Sequence, residues 1–180
     1  MDWFRRAAPA STRALLARTA LQIIVFWGIF LFVVPPMIAR LDGAPAMARA
    51  TYARPLAVVV FAVASALGLT SAFTMVTRGL GTPLPLDGPR HLVVTGPYGV
   101  VRNPMAVAGL AQGAAVALWL GSLLVLVYVA AGGVLWHILV RPIEEGDLLA
   151  TFGDEYRDYR RRVPLWLPRL SSRAPHGPGA

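Results

Sequence analysis

The sequence of 180 residues contains no cysteine and no lysine. Without cysteine there are no disulfides, thiolate metal sites or thiol nucleophiles. Charge is scarce too: 14% of residues carry one, against about 25% in an ordinary soluble domain. Hydrophobic residues make up 56%, and mean hydropathy is +0.58. A soluble chain of this size buries only about 70% of its unfolded surface, too little to hide so much apolar area. A soluble enzyme, a disordered tail and a fibrous repeat are therefore excluded. All 17 basic residues are arginine, and nine acids leave a formal charge of +8. Arginines at the water-facing ends of membrane helices explain that excess better than a nucleic-acid partner.

What is present is a set of long uncharged runs. Residues 19–39, 55–77 and 103–140 contain no Asp, Glu, Lys or Arg. A helix needs about 20 residues to cross the hydrocarbon core, so the first two runs predict one crossing each and the third predicts two. Gly121-Ser122 interrupts the third run, with nothing polar flanking it in sequence, and predicts a tight hairpin of helices 104–120 and 122–140. Residues just before Pro104 and just after Val140 then emerge on one side. The expected fold is all-α: four membrane helices, near 19–39, 55–77, 104–120 and 122–140, and a C-terminal helical segment outside the bilayer.

Arginine distribution sets the orientation, because positively charged short loops stay cytoplasmic. Four crossings place fourteen arginines on one side, in the arm 1–18, the segment 78–102 and the chain after Val140. Only Arg40, Arg49 and Arg54 fall on the other. Both termini are expected in the cytoplasm. The basic start, apolar run and GAPAMARA segment also outline a secretory signal. The run exceeds the usual length of about 7–15 apolar residues and holds Trp27, so it reads as a retained helix. The expected organisation is a single membrane domain: arm 1–18, membrane region 19–140, helical cap 141–170 and a disordered tail 171–180.

No ionisable acid or arginine falls within a crossing, which argues against a pump, proton relay or charged-substrate channel. No cluster of metal ligands is present either, so no metal is expected. Gly109 and Gly113, with Ala64 and Gly68, read as close-packing pairs, and Gln22 and Gln112 as interhelical hydrogen bonders. Polar density gathers in two stretches beside the hairpin. In residues 90–109, Gly96-Pro97 marks a turn, and Asn103-Pro104 supplies a cap and a first-turn proline for the third helix. That helix start, beside Arg102, suits an anionic group. In residues 141–169, six of the nine acids lie between Glu144 and Asp158. Leu148, Phe152, Tyr156, Tyr159 and Val163 form an apolar helical face, which Gly153-Asp154 is placed to break. The run Arg160–Arg162 suits anionic lipid headgroups. Glu144-Glu145 stands at the membrane exit, where two carboxylates need a cationic or hydroxyl-bearing partner.

Together these stretches resemble the isoprenylcysteine carboxyl methyltransferase and phospholipid methyltransferase superfamily of membrane enzymes. The matching residues are Gly96-Pro97-Tyr98, Arg102-Asn103-Pro104-Met105, Glu144-Glu145, Leu148, Phe152-Gly153, Glu155-Tyr156 and Tyr159. The resemblance covers roughly residues 88–169. Asn103 stands where many members have histidine, and Ala106 where many have tyrosine.

The resemblance implies methyl transfer from S-adenosylmethionine to a lipid-like or lipidated acceptor, of the isoprenylcysteine carboxylate or phospholipid amine type. It implies a cofactor site of His91, Leu92, Gly96, Pro97, Tyr98, Arg102, Asn103, Pro104, Glu144 and Glu145, with Arg102 and His91 as catalytic residues. Tyr98 would offer a π-face to the sulfonium. Arg102 and the helix start would hold the methionine carboxylate, and Glu144 or Glu145 the ribose hydroxyls or ammonium. His91 reads equally as a loop histidine, His137 as an interfacial one, and Tyr156 and Tyr159 as packing. Two alternatives are a sterol-reductase-like protein binding NADPH and a nonenzymatic membrane protein with a vestigial site.

Overall fold

Ser11 opens the first helix by accepting a hydrogen bond on Oγ from the Ala14 N–H at 3.3 Å. In the computed structural model, which describes residues 5–6, 11–42, 53–81 and 87–168, this helix starts well before the uncharged run does. The tail expected from residue 171 lies outside the described residues. Helix α1 comprises Thr12–Gln22, a π-helical stretch Ile23–Val33, and Val34–Ala39. No sequence signal announces the π-helical stretch. Helix α2 comprises Ala53–Thr74 and a π-helical turn, Met75–Gly79, and ends where Leu80 turns left-handed at φ 52°. Helix α3 is Pro104–Leu120. Helix α4 comprises Leu123–Leu135 and the π-helical turn Trp136–Val140, and it runs directly into α5, Arg141–Arg162.

Among the described residues, three helices are long and apolar enough to cross a membrane: Arg13–Ala39, Ala53–Gly79 and the 40-residue Leu123–Arg162, whose apolar part is α4. Helix α3 is apolar but has 17 residues, about 26 Å at 1.5 Å per residue, slightly less than a bilayer core of about 30 Å. Away from the helices, Arg5–Arg6 pairs in parallel with Asp87–Gly88, a bridge of two residues per strand.

The hairpin between α3 and α4 forms where Gly121-Ser122 predicts it. Gly121 adopts φ 67°, which suits a residue without Cβ. The Ser122 N–H reaches back to the Ala117 carbonyl at 3.0 Å and that of Gly121 to Leu118 at 3.3 Å, closing the helix end as a Schellman turn. The sequence neighbourhood lacks a polar partner, but the fold supplies one from eighty residues away. Asp42, just after α1, accepts hydrogen bonds from Ser122 Oγ and from the Leu124 N–H, the latter at 3.1 Å. One carboxylate thus caps α4 and ties the turn to α1.

Small residues let the helices approach closely, as membrane packing favours. The most extensive contact pairs α2 with α3, where Ala57, Ala64, Ala72 and Ala108 are buried and Gln112 Nε2 donates to Ser65 Oγ at 2.9 Å. A Cβ on Gly109 would lie 2.1 Å from Trp27 of α1, and one on Gly113 would lie 2.7 Å from Val129 of α4. The small pairs therefore act as packing surfaces, as their spacing predicts. Gln22 departs from expectation: its Oε1 is buried and makes no hydrogen bond.

Candidate functional site

Helix α5 carries the acids back over the start of α3. It holds its helical winding except at Gly153, where φ 51° and ψ −121° form a kink that an L side chain would strain. Below the kink, Leu148 and Phe152 pack against the buried cluster of Tyr156, Tyr159 and Val163. Leu92 and Val94 close the cluster from the preceding loop. The Tyr159 hydroxyl donates to the Tyr98 carbonyl at 2.7 Å, fixing the short 3-10 turn Gly96–Gly99 onto α5. After Val163 the chain doubles back: the Arg102 N–H donates to the Pro164 carbonyl at 2.8 Å, and Arg102 Nε to that of Val163 at 3.0 Å.

At this junction two arginines share one carboxylate. Glu145 Oε1 accepts from Arg102 Nη1 and from Arg141 Nε and Nη2, the last two at 3.1 and 3.0 Å. Its other oxygen meets Arg160 at 3.5 Å. The Tyr156 hydroxyl, on a fully buried side chain, lies 3.4 Å from Arg102 and 3.3 Å from Arg141. Burial pushes the Glu145 carboxyl up, but Arg141 and Arg102 outweigh it and hold the group below its ordinary value. Glu144 is the reverse case. It has one arginine, Arg141 Nη1 at 3.0 Å, and burial dominates, so its carboxyl sits above its ordinary value.

Glu144 also lines a cavity of about 470 Å³ enclosed by α1, α3 and α4. The α1 residues along it are Thr19, Gln22, Ile23, Phe26, Trp27, Phe30 and Leu31, one helical face at three- and four-residue spacings. The wall is mostly apolar, and Thr19, Gln22, Asn103, Trp136 and Glu144 are among the residues that bring polar groups to it. Four buried side-chain atoms have no hydrogen-bond partner among the described residues, Thr19 Oγ1, Gln22 Oε1, Asn103 Nδ2 and Trp136 Nε1. All four belong to residues lining this cavity.

The residues singled out by sequence divide accordingly. Asn103 and Glu144 line the cavity, as do Met105 and Ala106 in the first turn of α3. Pro104 is buried at that turn, and Arg102 and Glu145 meet in the network behind it. Gly96, at φ 60°, and Pro97 hold the 3-10 turn. Tyr98 is buried, and burial, Glu144 and Tyr159 push its hydroxyl far up; its ring is not part of the cavity wall. Leu92 packs in the apolar cluster. His91 is exposed on the loop, its N–H bound to the Gly79 carbonyl at 3.3 Å, and the structure does not bring it to the cavity. His137 accepts from Trp166 Nε1 on its Nδ1 at 3.2 Å.

Sequence reasoning missed Thr19, Trp136 and Trp166 as cavity residues and Arg141 as the hub of the acid pair. Arg141 carried a readable signal, since Glu144 and Glu145 follow it at i+3 and i+4.

Comparison with known proteins agrees with the segment that builds this site. The family model for phospholipid methyltransferase matches residues 52–155, well over half of the chain. Methanethiol S-methyltransferase 2 of Bradyrhizobium diazoefficiens is 40% identical over 77 residues, 42% of this chain and 28% of that protein. Methanethiol S-methyltransferase of Mycobacterium tuberculosis is 37% identical over 73 residues, 39% of this chain and 28% of that protein. The matched stretch thus spans less than a third of the length of either relative. From α2 through the Arg102–Glu145 junction, the chain belongs to the phospholipid methyltransferase family.

Proposed function

We propose that this chain is a membrane-embedded methyltransferase that moves a methyl group from S-adenosylmethionine to an apolar acceptor partitioned into the bilayer. Family membership supports the reaction class. The observation that carries the reading at residue level is the division of labour between adjacent acids: Glu145 is engaged by three arginines, whereas Glu144 faces the cavity with one. A half-buried carboxylate on a cavity of about 470 Å³, within the range of about 300–1,000 Å³ for small-molecule sites, fits a cofactor bearing hydroxyls and an ammonium. Glu144 accepts from those groups. The first turn of α3 offers its positive dipole end to the carboxylate. Arg102, engaged with Glu145 and the Val163 carbonyl, positions that turn.

S-adenosylmethionine, when bound, supplies an electrophilic methyl on a sulfonium, so the chain's task is alignment in a site shielded from water. The apolar wall of α1 and α4 provides the shielding and a lateral approach for the acceptor. His91 is not needed for this reading. In this reading helix α3 acts as the fourth crossing, and the arginine distribution supports a cytoplasmic side for both termini, the cap 141–170 and the site. The curated relatives act, by name, on methanethiol, an uncharged apolar acceptor of the kind this cavity admits.

Calorimetric titration of the purified full chain with S-adenosylmethionine tests the reading. Binding at about micromolar level is expected, weakened about tenfold to a hundredfold by Glu144→Gln, the loss of one charged hydrogen bond. Incubation with labelled S-adenosylmethionine and a total membrane extract should label a lipid-soluble product. NADPH binding in place of S-adenosylmethionine would point to the reductase-like alternative, and binding of neither to a nonenzymatic role.

A further inference from the structure

The four unpartnered atoms are individually costly. A buried polar atom without a hydrogen bond destabilises a fold by about 1–3 kcal/mol, and such atoms are uncommon in native structures. Here all four belong to residues lining one cavity, contributed by α1, the cap of α3 and α4. Thr19 is 5% exposed and Asn103 6%. The orientation of Asn103 is fixed by its own cap: Oδ1 accepts from the Ala106 N–H at 3.3 Å, so the amide cannot turn over without releasing the helix, and Nδ2 is left to the cavity. Trp136 Nε1 can only donate, Gln22 Oε1 can only accept, and Thr19 Oγ1 can do either.

We propose that Thr19, Gln22, Asn103 and Trp136 form an uncharged collar that binds the hydroxyl or thiol head of a neutral ligand whose remainder is apolar. Asn103 and Trp136 call for an acceptor and Gln22 for a donor, and an –OH or –SH can serve as both. A carboxylate cannot donate to Gln22, and the only Asp, Glu, Lys or Arg among the described lining residues is Glu144, which repels it. An ammonium leaves the Asn103 and Trp136 donors facing a cation.

Glu144 is eight residues beyond Trp136, about 12 Å along the helix, so Trp136 is set deeper than the acid. Beyond it, Phe26, Trp27 and Phe30 supply an apolar chamber. Thr19 and Gln22 lie outside the family-matched segment 52–155, which makes the collar a feature of this chain's α1. Identifying the bound ligand with the methyl acceptor rests on the methyl-transfer reading; the collar's preference for a neutral head does not.

Equilibrium binding of labelled 1-octanol, octylamine and octanoate to the full chain in lipid nanodiscs at pH 7, with empty nanodiscs subtracted, tests the proposal. Saturable binding of 1-octanol is expected, at least about tenfold tighter than either charged analogue, the equivalent of about 1.4 kcal/mol. The double variant Thr19→Val/Gln22→Leu should lose that preference. Asn103→Ser, which keeps a capping oxygen but removes Nδ2, should weaken 1-octanol binding. Equal or tighter binding of octanoate or octylamine would overturn the proposal, as would a preference unchanged in the double variant. A neutral-head preference without S-adenosylmethionine binding would uphold the collar and remove the methyl-transfer reading. The converse result would remove only the collar.

Discussion

Replacing Glu145 by glutamine should unfold the chain more readily, whereas the same change at Glu144 should not. Glu145 Oε1 is the shared partner of two guanidiniums whose side chains are only 11% and 5% exposed, Arg102 and Arg141. Glutamine keeps an oxygen there but removes the charge. Leaving a buried ion without its partner costs about 3–5 kcal/mol. Partial exposure and the retained Arg141–Glu144 pair reduce this to about 2–3 kcal/mol, near the contribution of one charged hydrogen bond. For a chain of this size that lowers the melting midpoint by about 4–12 °C.

The pH dependence has a definite sign. Glu145 titrates below its ordinary value in the folded chain, so its contribution is present above the ordinary carboxylate pKa of about 4.3. It is lost as pH falls through the depressed value, and the gap between wild type and Glu145→Gln should close there. Glu144 is raised instead, so its ionisation opposes folding as pH rises from about 4.3 through its folded value. At pH 7, Glu144→Gln should therefore melt with or above the wild type. Thermal melts of both variants in one detergent, across pH, are the assay. A Glu145→Gln variant as stable as wild type, or a Glu144→Gln variant less stable than Glu145→Gln, would refute this division between the two acids.

Other consequences follow from single contacts. Asp42→Ala removes the carboxylate that holds the Ser122 cap and the Leu124 N–H of α4 and should cost about 0.5–2 kcal/mol in thermal melts without altering S-adenosylmethionine affinity. Gly109→Ala would set a Cβ 2.1 Å from Trp27; overpacking of this kind costs about 1–3 kcal/mol, and 1-octanol binding should fall with it. Gly153→Ala would force an L residue into φ 51°, ψ −121°, a strain of about 1–3 kcal/mol readable as earlier proteolysis of α5. A reporter fused after residue 169 should read as cytoplasmic, and a periplasmic reading would reverse the orientation drawn from the arginines.

The helices were legible because hydrocarbon imposes one strong rule: charges bound the runs, and Gly121 and Pro104 punctuate them. Even the meeting of Arg102 with the acid pair followed from the parity of a hairpin. The identity of the partners did not. Glu144 and Glu145 called for a cation, and the cation proved to be the chain's own, Arg141 one turn away and Arg102 forty-three residues away. Gln22 and Gln112 look alike as polar residues on apolar helices, yet one bonds Ser65 and the other faces a cavity. Local periodicity cannot separate them, because the difference depends on which neighbouring face arrives opposite each. Asp42 as the cap of α4 was invisible for the same reason.

The return of Val163 and Pro164 to Arg102 sets an order of events during synthesis. Arg102 is made first and its carbonyl partner 61 residues later, a delay of about 3–12 s at translation rates of about 5–20 residues per second. Until Glu145 is made, 43 residues after Arg102, the guanidinium lacks its carboxylate, and until Trp166 is made the cavity lacks part of its wall. Completion of the pocket is thereby made a late event in two steps, the ion pair with Glu145 becoming available first and the carbonyls of Val163 and Pro164 after it.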